Sequence, residues 1–162
     1  METIKQTIEI DLPISTVYNQ WTQFEEFPLF MENITEVKQL DDTHLRWKAN
    51  IAGKDVEWNA AIYEQKPDEI IAWRSTSGPE NVGSVKFMPL TGNRTFVILK
   101  LSYEPKGLAG KLAEALGILS SHLESDLRRF KDFIEKRHKE TGAWRGEVHS
   151  PASSKISVEH IK

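Results

Sequence analysis

The sequence predicts one α+β domain in which an antiparallel meander of short strands clasps a single long helix. Three observations carry this. Between residues 34 and 104 apolar and polar side chains alternate in runs separated by turn-forming residues, as half-buried strands joined by hairpins require. From 108 to 138 large apolar residues recur at spacings of three and four, which sets them on one face of a helix. A sheet with one apolar face needs a cover, and 162 residues suffice for one sizeable core but not comfortably for two.

The first strand is read over 3–10, where Ile4, Gln6, Ile8 and Ile10 alternate with polar neighbours and Gln6 is the imperfect position. Pro13 ends it. Ser15 is placed to cap a short helix with Val17 and Trp21 on one face. A second short segment holds Phe24, Phe27, Phe30 and Met31, with Pro28 inside it to break it or start a new turn. Six strands follow near 34–40, 43–51, 55–65, 69–76, 82–89 and 94–104. Their separators are Asp41-Asp42, Gly53-Lys54, Pro67-Asp68, Ser77-Gly78-Pro79 and Thr91-Gly92-Asn93. Each is a turn composition, since glycine tolerates positive φ, proline presets φ, and Asp or Asn bonds its own backbone. A two-residue turn at Gly53-Lys54 pairs Ala49 with Trp58, Trp47 with Ala60 and Leu45 with Ile62 on the inner face. On the outer face it pairs Asn50 with Glu57 and Lys48 with Asn59. A three-residue turn at Thr91-Gly92-Asn93 pairs Phe87 with Val97 and Val85 with Leu99, turning Gly83, Leu101 and Tyr103 inward with them.

Leu112, Leu116, Leu119, Leu123, Leu127, Phe130 and Ile134 form the buried stripe of the last helix. Glu124 with Arg128, Asp132 with Lys136 and Glu135 with Lys139 are i to i+4 pairs that mark its solvent face. After Thr141-Gly142 the chain turns mixed and serine-rich. Residues 1–138 are therefore read as the domain, and 139–162 as a C-terminal tail, partly disordered.

Composition narrows the function classes. Hydrophobic residues at 39% and charged residues at 28% are ordinary for a globular chain, and no apolar run approaches the ~18 residues of a membrane span. Met1-Glu2 opens without the basic and apolar regions of a secretory signal, so the expected location is cytoplasmic. The absence of cysteine removes disulfides, thiolate nucleophiles and cysteine-based zinc sites together. A net charge of −3 gives no footprint for a polyanion, and no nucleic-acid partner is expected. Gly-rich phosphate loops, His-Glu-x-x-His and Gly-x-Ser-x-Gly patterns are missing from the sequence. His44, His122, His138, His149 and His160 include no pair at ligand spacing, so neither a metal nor a cofactor is expected. His122 lies beside the buried stripe, either at a cavity rim or as a flank histidine satisfied by its surroundings.

Gly117 sits in a helix interior, where glycine costs about 1 kcal/mol relative to alanine and needs a packing reason. With Ala113, Ser120 and Ser121 it makes a strip of small residues beside Leu116 and Leu119. The strip either leaves a void or admits a bulky strand residue such as Trp58 or Trp73. The inward Trp47, Trp58 and Trp73 carry the same two readings, core or pocket wall. On the opposite face Met88, Phe96 and Ile98 form an apolar group that Trp144 or a second copy of the chain could cover.

The order strand, two short helices, six-stranded meander and long helix resembles the helix-grip fold shared by START lipid-transfer domains, birch-pollen-allergen-like proteins and the polyketide cyclase/dehydrase group. TVYNQWTQFEEFPLFMENITEV (16–37) is similar to that group's helix-turn motif, in which a Trp precedes Phe-Pro-x-Phe-Met. GSVKFMPL (83–90), YEPKG (103–107) and DLRRFKDFIE (126–135) resemble its remaining blocks, so the resemblance spans residues 3 to about 138. TGAWRGEV (141–148) resembles an extension of one bacterial branch. The resemblance implies a seven-stranded curved antiparallel sheet wrapped around the C-terminal helix. It also implies a hydrophobic guest, such as a lipid, quinone or polyketide-like molecule, held between the two. On that reading Trp47, Trp58, Trp73, Phe87, Leu99, Leu116 and Leu119 line the cavity, with Phe27, Phe30 and Met31 near its mouth. No catalytic set is matched, because the inward face is almost wholly apolar and Arg46, Lys48, Glu57 and Asn59 fall outside. Binding or transport is therefore expected ahead of catalysis. Two alternatives stay open. One is an aromatase/cyclase or dehydratase with His122 or Tyr103 as its ionisable group. The other is a protein-interaction module or homodimer through Met88, Phe96 and Ile98.

Overall fold

The computed structural model describes residues 2–51, 53–78, 80–103, 118 and 121–149. In chain order the elements are β1 (Glu2–Ile10), α1 (Ile14–Trp21), a 3₁₀ helix (Phe24–Leu29), β2 (Ile34–Gln39) and β3 (His44–Ile51). There follow β4 (Lys54–Lys66), β5 (Ile70–Ser77), β6 (Asn81–Leu90), β7 (Arg94–Tyr103), α2 (Leu123–Arg137) and β8 (Val148–His149). The sheet is antiparallel, in the order β1-β7-β6-β5-β4-β3-β2, with β8 added beside β4. It curls into a half-barrel closed by the C-terminal helix. Leu123, Leu127, Phe130 and Ile134 of α2 are buried in one core with the inner face of the strands. No helix among the described residues is long and apolar enough to cross a membrane.

Strand limits follow the turn residues, and β6–β7 has the expected register, with Phe87 opposite Val97 and Val85 opposite Leu99. The β3–β4 hairpin does not. Ile51 pairs with Lys54, so Trp47 faces Trp58, Leu45 faces Ala60 and Ala49 faces Val56. A tight two-residue hairpin turn needs positive φ. Gly53 supplies it at +83°, directly before the paired Lys54, where the sequence reading placed Lys54 itself in the turn. The resulting slip of two leaves every side chain on its expected face.

Two helix starts also differ from expectation. Pro13, not Ser15, precedes α1, and its carbonyl accepts the Val17 N–H at 3.2 Å. Ile118 and Ser121 are helical, but His122 interrupts the run and stands as the N-cap of α2. Leu112, Leu116, Gly117 and Leu119 of the expected helix lie outside the described residues, with the rest of 104–117 and residue 120. His138 ends α2 with φ 60° and donates to the Ile134 carbonyl. Glu124 pairs with Arg128 as expected, whereas Glu135 bonds Lys131 at 2.6 Å and the Asp11 N–H at 2.8 Å rather than Lys139. Burial raises the Glu135 pKa, but these two bonds outweigh it and hold the carboxylate below its ordinary value.

The sheet margins are tied to neighbouring elements. Glu25 accepts the Gln39 N–H at 3.0 Å beside β2, and Lys131 donates to the Glu9 carbonyl of β1 at 2.9 Å. Such contacts occupy backbone groups that an edge strand otherwise presents to other chains.

Residues 140–149, read as the start of a tail, lie along α1 as a strap. Buried Gln20 accepts the Thr141 N–H at 2.8 Å and donates to Thr141 Oγ1 at 3.1 Å. Thr22 Oγ1 accepts the Trp144 N–H at 3.1 Å. Arg145 bonds Asn19 at 2.6 Å and Asp68 at 2.9 Å, with its guanidinium 5.5 Å from the centre of the Tyr18 ring. Val148 and His149 then pair with Gln65 and Glu64 as β8. On the outer face Met88 is 51% exposed, with Phe96 and Ile98 half-buried beside it. Residues 150–162 lie outside the described residues.

Candidate functional site

An apolar cavity of about 80 Å³ lies between the inner face and α2. Period-two alternation turns Trp47, Trp58 and Trp73 of successive strands into it, with Leu99 and Leu101 of β7. Trp21 comes from α1, Phe27 from the 3₁₀ helix, Met31 from the segment that follows, and Ile34 from β2. Leu123 of α2 completes the apolar wall among the described residues.

The three strand tryptophans are held differently. Trp47 and Trp58 stack with centroids 6.0 Å apart and planes 1° from parallel, a consequence of their direct pairing across β3–β4. Trp73 packs over Gly83, its partner across β5–β6. A Cβ on that glycine would lie 2.3 Å from the indole ring. Phe27 supports Trp47 at 5.6 Å between centroids. The indole N–H groups of Trp21 and Trp47 are buried without a hydrogen-bond partner among the described residues.

Asn81 and Asp126 are the polar residues of the described wall. Asp126 is 6% exposed, and burial raises its pKa above the ordinary value, opposed by the adjacent Arg129. Arg129 pairs with Asp126 Oδ1, donates to the Phe30 carbonyl at 2.9 Å and lies 3.8 Å from Glu32. It thereby fastens α2 to the segment that carries Met31. Among the described residues no three His, Asp or Glu side chains gather as a metal site.

Of the residues singled out from the sequence, Trp47, Trp58, Trp73, Leu99, Phe27 and Met31 border the cavity. Phe30 and Phe87 are buried behind it, Phe30 against Phe130 at 5.0 Å and Phe87 against Tyr18 at 5.2 Å. Leu116 and Leu119 lie outside the described residues. His122 is half-buried at the end of α2 and Tyr103 half-buried at the end of β7. The ionisable side chain in the described wall is Asp126. Sequence reasoning missed it, although its position three after Leu123 and four before Phe130 places it on the buried stripe. Trp21, Ile34, Asn81, Leu101 and Leu123 were likewise not named as wall residues, because core and cavity positions share one periodicity.

A half-barrel closed by a C-terminal helix around an apolar hollow defines the helix-grip class. A family model for polyketide cyclase/dehydrase and lipid transport matches residues 10–132, and the chain belongs to that family. It is 41% identical over 149 residues to an uncharacterized 17.2 kDa protein of Streptomyces lincolnensis, covering 91% of this chain and 99% of that one. A crystal structure from Deinococcus radiodurans is 30% identical, with TM-score 0.67 over 84% of this chain and 99% of the other. The Zhui aromatase/cyclase from Streptomyces sp. R1128 shares the fold at 16% identity, with TM-score 0.70 over 88% and 99% of the two chains.

Proposed function

We propose that the chain binds a hydrophobic small molecule, of lipid, quinone or polyketide-like character, in the cavity between sheet and α2. The observation that carries this reading is an apolar hollow walled by Trp47, Trp58 and Trp73 and left unfilled by them. Membership of a family that includes lipid transport supports it. Affinity comes from burial, at roughly 25 cal/mol per Å² before ordering costs are subtracted. At about 80 Å³ the hollow is smaller than the ~150 Å³ that accepts benzene in an apolar protein interior. A guest of the proposed size therefore displaces side chains, and Met31 is the adaptable one, unbranched and 8% exposed. Native mass spectrometry of protein purified without detergent should reveal a co-purifying guest. Titration with a short-chain quinone or a fatty acid should quench tryptophan fluorescence saturably. Saturating probe with neither spectral change nor thermal shift overturns the reading.

Asp126 favours a second reading, a cyclase or dehydratase. A carboxyl biased by burial toward its protonated form can give a proton to the carbonyl oxygen of a bound guest. Asp126→Asn should then keep guest binding and lose turnover of a polyketide-like ketone. Unchanged turnover removes Asp126 from that role.

A further inference from the structure

We propose a second site on the outer face of the sheet, one that takes a phosphomonoester group. A depression of about 280 Å³ crosses β4 to β7 there, with Lys86, Lys100, Ser84 and Ser102 on one side and Tyr63 and Glu64 on the other. Its shape has a local cause. The ladder shifts between the pairs Ile62 with Trp73 and Glu64 with Ala72, so Tyr63 is the extra residue of a β-bulge and raises the rim. Ala72 pairs with Ser84 across β5–β6, and two small side chains leave the floor low.

The charge around this hollow is unbalanced. Lys100 stands opposite Lys5 across β1–β7 and opposite Ser84 across β6–β7, while Lys86 follows Ser84 by two on the same face. Arg46, Lys66 and Arg94 are cations of the outer surface that do have carboxylate partners, in Glu57, Glu69 and Glu9 respectively. Lys5, Lys86 and Lys100 make no such pair among the described residues. Like charges directly opposite each other destabilise a sheet. A dianion seated beside Lys100 offsets its repulsion with Lys5, and the concave wall concentrates the field.

The donors suit a phosphomonoester better than a carboxylate. Two ammonium groups and two serine hydroxyls face a group with three acceptor oxygens and close to two charges at neutral pH. Ser102 Oγ already bonds Thr3 Oγ1 at 2.9 Å, which holds its side chain at the rim. On the far side Arg74 lies 4.6 Å over the Tyr63 ring and stiffens a wall for the organic part of the ligand. Glu64 on that side repels further phosphates, so a single phosphoryl group near the lysines fits and a polyanionic strand does not.

The group could arrive on a soluble metabolite or as the headgroup of phosphatidic acid, and two probes separate these sources. Phenyl phosphate titrated into the full chain should give saturable amide shifts centred on Ser84, Lys86, Lys100 and Ser102. Lys86→Gln with Lys100→Gln should weaken that binding at least about tenfold per lysine, the loss of one charge-assisted hydrogen bond each. Co-sedimentation with phosphatidylcholine vesicles only when they contain phosphatidic acid, lost in the same double variant, assigns the headgroup as the source. The proposal is overturned if neither probe binds, or if the double variant binds like the parent. Tryptophan quenching by a cavity guest is expected to be unchanged in the variant, so the cavity reading stands or falls separately.

Discussion

Gly83 lacks a side chain where Trp73 needs the room. A Cβ there would meet three atoms of the indole ring at 2.3 to 2.8 Å, and a planar ring cannot yield as a flexible chain end would. Gly83→Ala should cost ~1–3 kcal/mol, the usual range for overpacking, measured as a lower denaturant midpoint. It should also alter Trp73 fluorescence, because the ring must swing within the cavity wall; an unchanged midpoint and spectrum would refute the contact. The inward direction of Trp47, Trp58 and Trp73 was legible from period two alone. Their contacts were not, since hairpin register depends on which turn position Gly53 occupies, and one place moves Trp47 from Ala60 to Trp58. Asp126 was hidden for a different reason. A lone carboxylate on an apolar stripe reads as a flank residue until the fold buries it. Its raised pKa means that it favours the folded state fully below about pH 4, its ordinary value, and that this contribution is lost as pH rises through the raised one. Asp126→Asn should therefore flatten that part of the stability profile as well as remove the acid.

The strands and the strap differ in how they are specified. β2 to β7 repeat an apolar and polar alternation between turn residues, and each is found within a residue or two of its expected limits. Local chemistry suffices for them. The strap has no apolar period, and its fastenings reach back about 120 residues, from Thr141 to Gln20 and from Trp144 to Thr22. Polar bonds of that span leave no mark in a sequence window, which is why the segment reads as a tail. Gln20 is 0% exposed and spends both ends of its amide on Thr141. Gln20→Ala should cost ~1–3 kcal/mol and speed hydrogen exchange at the Thr141 and Trp144 amides. Unaltered protection there would show the strap to be held by other contacts.

For the whole molecule, the sheet acts as one wall and α2 as the other, so a guest between them touches both. Any such guest binds the folded chain and not the unfolded one, and stability must rise as RT ln(1 + [L]/Kd). The thermal midpoint should accordingly climb with guest concentration, in step with the fluorescence titration. Fold class and the general place of the cavity were readable because curvature, topology and cover follow from the order of elements. The cavity's size was not, because whether three indoles fill a space or frame it depends on their tilt.

The paired rings at the floor of that space have an optical consequence. Trp47 and Trp58, parallel and 6.0 Å apart, form two chromophores close enough to share their excited states. A molecule that tilts or parts them dissolves the coupling and changes the ultraviolet circular dichroism of the entire chain, so the protein carries an unlabelled gauge of its own occupancy.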